Sequence, residues 1–358
     1  MKPTRIHLAY VQGAYLRDYE HTYIPMVTAE LRAQDFENRF AIEPDPAKAD
    51  LIVLWEGFEY KTPKYIQLLE NDPLVRQHAE RVHAINYDDH PEGFLAGLYT
   101  SLEAPFFNAQ IHRIRPFVLM NNPLVYSLTR AQIDHAPAKL LFSFTGAASH
   151  AVRKKLFEIY PTPTANYHVQ HIKRWYDHGE AERQRFIQVA LDSIFCLCPH
   201  GYCSYTPRIT EVMAMARVPV IIADDWIPFS FEEKEPYYIR VPERDIAHLP
   251  DILAARRSEA DEIRFNARAL WEKYCAPQRR VVAAIECLTD LAARTEKRMS
   301  FPAYREQWHS KEFLTNLGWT APQRTALRIE QHVRRWFPSV KVPGVSPLMR
   351  YRNAPNLK

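Results

Sequence analysis

The 358-residue sequence contains no apolar run approaching the roughly 20 residues that a membrane-spanning helix needs. Its first residues, MKPTRIHLAYVQGAY, lack the apolar core and the cleavage site of a secretory signal peptide. Five cysteines, an odd number, in a chain without such a signal favour reduced thiols over a disulfide framework. These absences predict a cytoplasmic protein.

Strong charge of either sign is also absent. A formal net charge of +4 gives no support to nucleic-acid binding, so no nucleic-acid partner is expected. The composition, with 47% hydrophobic and 25% charged residues, is that of a globular protein. The length fits two domains of about 150 to 180 residues better than one.

The sequence lacks the usual signatures of a metal site. Asp88-Asp89 and Asp224-Asp225 are adjacent pairs whose successive side chains diverge, and neither forms an Asp-x-Asp motif. Three cysteines lie close together, but their spacing matches none of the usual zinc patterns: Cys196, Cys198 and Cys203. We therefore expect no metal and no bound cofactor.

The most informative stretch runs from Phe195 to Phe229. An apolar strand, Ile194 to Leu197, precedes a turn, and a helix is predicted over about Pro207 to Ala216, with Thr206 as its N-cap. Val218 to Ala223 is apolar enough for a second, fully buried strand. Such a strand–loop–helix–strand unit presents free N–H groups and a helix dipole, which favour an anion.

Two charged residues lie in the first turns of this predicted helix. Arg208 offers a forked donor for phosphate, and Glu211, one turn later on the same face, offers a carboxylate for ribose hydroxyls. Together they suit a nucleotide clamp. The alternative is an intrahelical ion pair worth a few tenths of a kcal/mol.

This stretch resembles the exostosin family of glycosyltransferases. Leu140 to Leu156 is similar to the strand–Gly–Arg segment that opens the family's nucleotide domain, and the resemblance covers roughly Leu140 to Leu253. The family usually has Arg where this chain has His200, and often Gly-Cys where it has Ala216-Arg217. The residues that carry the resemblance are Phe195-Cys196-Leu197, Pro199, Gly201, Ser204, Thr206, Arg208, Glu211, Val218-Pro219-Val220-Ile221, Asp224-Asp225 and Pro228-Phe229.

The resemblance implies a nucleotide-sugar site in the second half of the chain. Gly146 could instead be a turn glycine, Arg153 a surface residue and His200 a turn histidine, while Tyr202 and Tyr205 suit packing or base stacking rather than catalysis. The residues expected to bind the nucleotide sugar are Gly146, Arg153, His200, Tyr202, Ser204, Tyr205, Thr206, Arg208 and Glu211.

The resemblance also implies the chemistry. Family members are mostly inverting, and an enzyme of the GT-B class needs no metal because a helix dipole and Arg take the place of a divalent ion at the diphosphate. The expected donor is a UDP-sugar, and the expected acceptor is a glycan or lipid-linked oligosaccharide in surface polysaccharide synthesis. Animal members carry a membrane anchor, which this chain lacks, so a bacterial enzyme is expected.

Strands alternate with helices in both halves, which predicts α/β domains with parallel sheets. We expect two Rossmann-like domains that face each other across a cleft, the GT-B arrangement. The predicted boundaries are 1–130 for an acceptor domain, 138–295 for a nucleotide-sugar domain and 296–358 for a tail. In the first half the predicted strands are Arg5 to Val11, Ala49 to Trp55 and Val82 to Tyr87, with PFVLM at 116–120 as a possible fourth.

Glycosyl transfer needs a general base on the acceptor side. Ligands of parallel sheets bind beyond the C-terminal ends of the strands, where the first half has two acidic loops. Asp88, Asp89 and His90 are the leading candidates, with Glu56 and Glu59 behind them. The alternative for each is loop solvation or N-capping.

The tail is rich in Trp, Arg and Pro. Thr325 to Trp336 can form a helix with an apolar face and several arginines. One interpretation is peripheral contact with an anionic membrane, beside a lipid-linked acceptor. The alternative is a helix packed on the protein's own body.

Two rival functions differ in class from a glycosyltransferase. One is a non-catalytic nucleotide- or glycan-binding protein that keeps the fold. The other is an enzyme such as a sugar-nucleotide epimerase, which would need a G-x-G-x-x-G turn after the first strand. The sequence there, VQGAYLRD, lacks that turn.

Overall fold

The computed structural model describes residues 2–14, 16, 20–56, 64–89, 91–116, 122–134, 138–172, 179–294 and 298–317. These residues form two sheets, one in each half of the chain, and every strand pairing within them is parallel. Helices connect the strands. The prediction of an α/β protein with two Rossmann-like units is confirmed.

The first sheet has six strands in the order β2-β1-β3-β4-β5-β6. Its central strands are completely buried because both faces are covered, which explains their continuous apolar sequence. The strands are β1 Thr4–Tyr10, β2 Phe40–Ile42, β3 Leu51–Trp55, β4 Val82–Asn86, β5 Gly97–Tyr99 and β6 His112–Ile114. The helices of this half are α1 Tyr23–Gln34, α2 Lys64–Asn71, α3 Pro73–His78, α4 Pro123–Tyr126 and α5 Arg130–Asp134.

The short elements of this half were not predicted from the sequence, namely β2, β5, β6, α2, α4 and α5. In β5, Gly97 lies against β4 so closely that a Cβ atom would be 2.2 Å from the carbonyl oxygen of Ala84. Only glycine allows that approach. The possible strand at 116–120 lies, from residue 117 onward, outside the described residues.

The second sheet has five strands in the order β11-β10-β9-β7-β8. The strands are β7 Leu140–Gly146, β8 Tyr167–His171, β9 Ser193–Pro199, β10 Val218–Ile222 and β11 Ile239–Arg240. Its helices are α6 Ala151–Ile159, α7 Glu180–Leu191, α8 Arg208–Ala214, α9 Leu249–Ala255 and α10 Ala260–Leu270, and a π-helical turn, Trp271–Cys275, follows α10. All five residues of β10 are buried, as its sequence predicts.

Helix α8 is shorter than predicted at both ends. It begins at Arg208, Pro207 occupies the N-cap position, and no side chain caps it, so the prediction of Thr206 as N-cap is wrong. The carbonyl of Thr206 instead accepts a hydrogen bond from the amide of Ile209. After the helix, Ala216 has a φ of +48°, a left-handed conformation that glycine adopts more easily.

The last described helices return to the first sheet: α11 Arg280–Ala293, α12 Phe301–His309 and α13 Lys311–Asn316. Arg280 of α11 forms an ion pair of 2.5 Å with Glu30 of α1, and the indole of Trp308 donates to the carbonyl of Phe94. Helix α11 packs against α1 and β5 of the first half and also against the π-helical turn of the second half, so the predicted domain boundary at 295 stays a prediction. The predicted tail helix at 325–336 lies outside the described residues.

Loops that follow the C-terminal ends of strands in the two halves meet each other. Ser230 exchanges two hydrogen bonds with Ile114 at the end of β6, and the amide of Ala104 donates to the carbonyl of Asp225. One hydrophobic cluster contains residues of both halves. The two strand edges where ligands of parallel sheets bind therefore lie together. Within the described part of the chain, no helix is both long and apolar enough to span a bilayer.

Candidate functional site

Two arginines share one aromatic ring at the C-terminal edge of the second sheet. The guanidinium of Arg208 lies 4.7 Å from the ring centroid of Phe144, and that of Arg153 lies 5.5 Å from it. Gly146 packs directly against the same ring, since a Cβ there would be 2.7 Å from Phe144. Strand β7 thus supplies the aromatic platform on which helices α6 and α8 place their cations.

Arg208 keeps two donors unused. Its Nη2 donates to the carbonyl of Thr145 at 2.5 Å, whereas its Nε and Nη1 are buried and have no hydrogen-bond partner among the described residues. Burial lowers the pKa of Arg208, and the charge of Glu211 opposes that shift. Leaving buried donors unsatisfied costs about 1 to 3 kcal/mol each, which an anionic ligand would recover.

Arg153 donates hydrogen bonds to the turn after β9. Its Nε donates to the carbonyl of His200 at 3.1 Å, and its Nη2 donates to that of Pro199 at 3.2 Å. Burial, followed by the charge of Arg208, lowers the pKa of Arg153 to about 9. The alternative of a surface arginine is therefore wrong, because the side chain is only 8% exposed. Its contact with phosphate stays a prediction.

The predicted loop residues divide by exposure. Ser204, Tyr205 and Thr206 are buried, and Tyr205 packs edge-on against Phe229 with ring centroids 6.0 Å apart, which agrees with the packing interpretation. Tyr202 is 57% exposed, and its role in packing or base stacking stays a prediction.

Glu211 lies in the first turn of α8 and is buried. A helix residue with no role beyond solvation would be exposed, and Glu211 is not. The ribose contact predicted for it stays a prediction.

A pair of histidines lies beside Arg153. His200 stacks on His150, with ring centroids 3.9 Å apart and planes at 13°, and its Nδ1 is 3.4 Å from the Oε1 of Glu243. His200 was predicted from the sequence, whereas His150 and Glu243 were not. The available signal for His150 was its place directly before a helix that follows a strand of the nucleotide domain.

The first half contributes an acid to this region. The Oδ1 of Asp89, just after β4, lies 3.1 Å from the Cys203 thiol, which donates to it from the loop after β9. The amide of Asp88 donates to the side chain of Asn86, and its carbonyl accepts from the hydroxyl of Ser101. The structure therefore brings candidate bases of the first half to the predicted nucleotide loop. His90 and Glu59 lie outside the described residues.

Glu56, at the end of β3, is buried behind those acids. Its carboxylate accepts hydrogen bonds from the hydroxyl of Tyr65 at 3.0 Å and from the Nδ2 of Asn86 at 2.9 Å. Burial raises the pKa of Glu56 to about 7. Since the same Asn86 holds the amide of Asp88, Glu56 supports the acidic loop from behind.

The described residues contain no group of three or more His, Cys, Asp or Glu side chains placed to hold a metal ion. Cys196 and Cys198 are buried in β9, and burial raises the pKa of both thiols, which disfavours the thiolate form that a metal requires. Metal-independent chemistry stays a prediction.

Comparison with known families identifies the segment that carries this site. Residues 100–255 match the Exostosin GT47 domain. This segment is an exostosin domain. It includes β7 to β10, and with them Arg153, His200, Arg208 and Glu211. The resemblance found in the sequence is confirmed, and the matched segment begins earlier than Leu140.

Curated relatives match short parts of the chain. The probable glucuronoxylan glucuronosyltransferase IRX7 of Arabidopsis thaliana is 43% identical over 77 residues, 20% of this chain and 17% of the relative. The Exostosin-1 homolog of Caenorhabditis elegans is 34% identical over 101 residues, 27% of this chain and 26% of the relative. The matched segments thus span about a quarter or less of these relatives' own length.

Similar solved structures are remote. HepE from Anabaena, solved in complex with UDP and glucose, has a TM-score of 0.41 and 10% identity, covering 81% of this chain and 99% of that one. TarM has a TM-score of 0.37 and 12% identity, covering 67% and 54%. Similarity at this level adds nothing to the two sheets already described.

Proposed function

We propose that the protein is a glycosyltransferase that moves a sugar from a nucleotide donor, a UDP-sugar, to a hydroxyl of a glycan or lipid-linked acceptor. One observation carries the proposal: within the exostosin domain, Arg208 holds two buried donors that no described residue uses. Relatives of this chain carry names that contain glucuronosyltransferase and xylosyltransferase, which supports sugar transfer.

The reaction is a single displacement with inversion at the anomeric carbon. The acceptor oxygen forms a bond to that carbon while the bond from the carbon to the diphosphate oxygen breaks, and the bonding electrons leave with the diphosphate. Arg208, aided by the neighbouring charge of Arg153, stabilises this leaving group without a divalent metal. The cost of the desolvated Arg208 donors is offset when phosphate oxygens accept from them.

The proton of the acceptor hydroxyl passes to a base of the first half. Asp89 suits this role because its carboxylate reaches the nucleotide loop at Cys203, and Asp88 and His90 are the adjacent alternatives. A base positioned in this way contributes about 10²- to 10⁴-fold to a rate. A role in surface polysaccharide synthesis inside a bacterial cell, with the basic tail at the membrane, completes the proposal.

A thermal-shift screen tests the donor class. A ligand that binds only the native state stabilises it by about 2.7 kcal/mol at a hundred times its dissociation constant. We expect UDP and UDP-sugars, but not GDP, CMP or NAD, to raise the melting temperature. Arg208→Met should abolish the shift, whereas Arg244→Met should keep it because the Arg244 side chain is 84% exposed.

The outcome separates the proposal from its rivals. An unchanged shift in the Arg208→Met variant would remove Arg208 from the site. Binding of UDP without sugar transfer from any donor would favour the non-catalytic binding protein over the enzyme.

A further inference from the structure

The stacked pair of His150 and His200 lies where the proposed donor diphosphate would bind. His150 follows β7 and His200 follows β9, so both project from the C-terminal edge of the second sheet. Arg153 connects the pair to Arg208, its neighbour on the Phe144 ring, since the Nε of Arg153 donates to the carbonyl of His200. Both rings are partly exposed, in contrast to the buried donors of Arg208.

The hydrogen bonds fix the proton on His150. Its Nδ1 accepts from the amide of Val152 at 3.3 Å and so caps α6. A nitrogen that accepts carries no proton, so the neutral ring has its hydrogen on Nε2, and this nitrogen is the ring's donor. Burial, and next the proximity of His200, lowers the pKa of His150, which favours this neutral form.

His200 is placed to carry the positive charge. Its Nδ1 faces the carboxylate of Glu243 and therefore donates, which leaves Nε2 to take up a second proton. A cation on His200 then stacks on a neutral ring rather than on a second cation.

Charged groups of both signs surround the two rings. Arg153 of α6 disfavours a cation on His150. Glu243 and Glu103, from the loops after β11 and β5, favour it, and Asp224 accepts a hydrogen bond from the amide of Glu243. An anion bound against the two rings adds negative charge there and favours a cation on the ring that it contacts.

We propose that this histidine pair binds the donor diphosphate with His150 as a neutral donor and His200 as a cation, so that donor binding takes up a proton. The inference rests on the proposed function. Imidazole changes charge between about pH 5 and 8, and an anion held against it stabilises the protonated form.

Isothermal titration with UDP-glucose tests the coupling, because no group of this probe titrates between about pH 5 and 8. Titrations in two buffers of different ionisation enthalpy count the protons that binding exchanges. We expect net uptake and an affinity that rises roughly ten-fold as the pH falls from about 8 to about 6.

Variants separate the two rings. His200→Gln should lose the uptake and bind roughly ten-fold more weakly, and His200→Arg should bind with no pH dependence. His150→Asn keeps the cap but lacks the Nε2 donor, so it should weaken binding while retaining the uptake. His248→Asn, an exposed histidine of the second half, is the matched control and should behave as wild type.

Two negative results have different meanings. If UDP-glucose fails to bind at every pH, the proposed function and this inference both fall. If it binds with equal proton exchange in wild type and His200→Gln, or with none in either, the histidine coupling is refuted and the proposed function stands.

Discussion

The C-terminal edges of the two sheets carry opposite charge. The second sheet presents the guanidinium groups of Arg153 and Arg208 on Phe144, whereas the first presents the carboxylates of Asp88 and Asp89. The loops from both edges meet, so cations for a leaving group and acids for an incoming hydroxyl lie on opposite sides of one region. This polarity is what a displacement reaction requires.

Two charged residues, Glu56 of the first edge and Arg208 of the second, differ in how their buried polar atoms are satisfied. Glu56 of the first edge is bonded by Tyr65 and Asn86, while Arg208 of the second edge leaves two donors without a partner in the described part of the chain. Unsatisfied buried donors carry a desolvation cost that an anionic ligand would recover. The contrast supports the proposal that Arg208 binds a ligand and that Glu56 holds the acidic loop in place.

The largest effect is expected from the acids of the first edge. If they supply the base, Asp89→Asn or Asp88→Asn should lower the transfer rate by about 10²- to 10⁴-fold and leave UDP-sugar affinity unchanged. The measurement is kcat beside a dissociation constant from calorimetry. Undiminished transfer by these variants and by His90→Ala would show that the base lies elsewhere.

The next effect compares two buried arginines of the second half. Arg217 donates to the carbonyls of Leu191, Met215 and Ala216. Arg217→Met leaves these carbonyls without their donor and should lower the free energy of unfolding by about 3 kcal/mol or more. Arg208→Met removes two unsatisfied donors and leaves only the carbonyl of Thr145 without its donor, so it should cost clearly less than Arg217→Met. Urea unfolding measures both free energies.

Loss of UDP affinity should rank these two variants in the opposite order to loss of stability. Arg208→Met should lose UDP affinity, whereas the folded fraction of Arg217→Met should keep it. Equal destabilisation by the two substitutions would contradict the assignment of Arg208 to a ligand.

The second half was the easier one to predict from the sequence. A buried strand such as Val218–Ile222 has an unbroken apolar sequence, and it lies between a helix and an acidic pair, so its type and limits are clear. The strands Phe40–Ile42, Gly97–Tyr99 and His112–Ile114 have three residues each, too few for any periodicity. They form because their neighbours in the sheet provide the pairing.

The site shows the same division. Arg208 and Glu211 were predictable because their spacing within one motif carries the signal. The contact of Asp89 with Cys203 joins residues 114 positions apart, and the stack of His150 on His200 joins two separate loops. Such contacts depend on how the sheets and loops pack, which no local pattern encodes.

The third effect concerns the supporting role of Glu56. Its pKa rises from 4.5 to about 7 on folding, so its contribution to stability is complete below about pH 4.5 and is lost as the pH rises through 7. Glu56→Gln removes this loss and should be more stable than wild type by about 3 kcal/mol above pH 8. The free energies of unfolding of the two proteins should become equal near pH 5.

Unfolding in urea across this pH range gives the difference directly. The buried histidines His83 and His112, whose pKa values burial lowers, affect both proteins equally and cancel. If Glu56→Gln keeps its transfer rate, Glu56 is not the base. A loss as large as that of the Asp89 variant would instead place it among the catalytic groups.

The smallest effect tests the turn that Arg153 holds. A Cβ at Gly201 would lie 2.4 Å from the Nη2 of Arg153, so Gly201→Ala must displace a guanidinium that bonds two carbonyls. Overpacking of this kind costs about 1 to 3 kcal/mol, and donor affinity should fall with it because His200 moves too. Gly179→Ala meets no atom within 4 Å and should change stability by less than about 1 kcal/mol with affinity intact. If Gly201→Ala destabilises the protein without weakening UDP-sugar binding, the turn supports the fold alone. Arg208 would then be the one cation of this edge that is still assigned to donor binding.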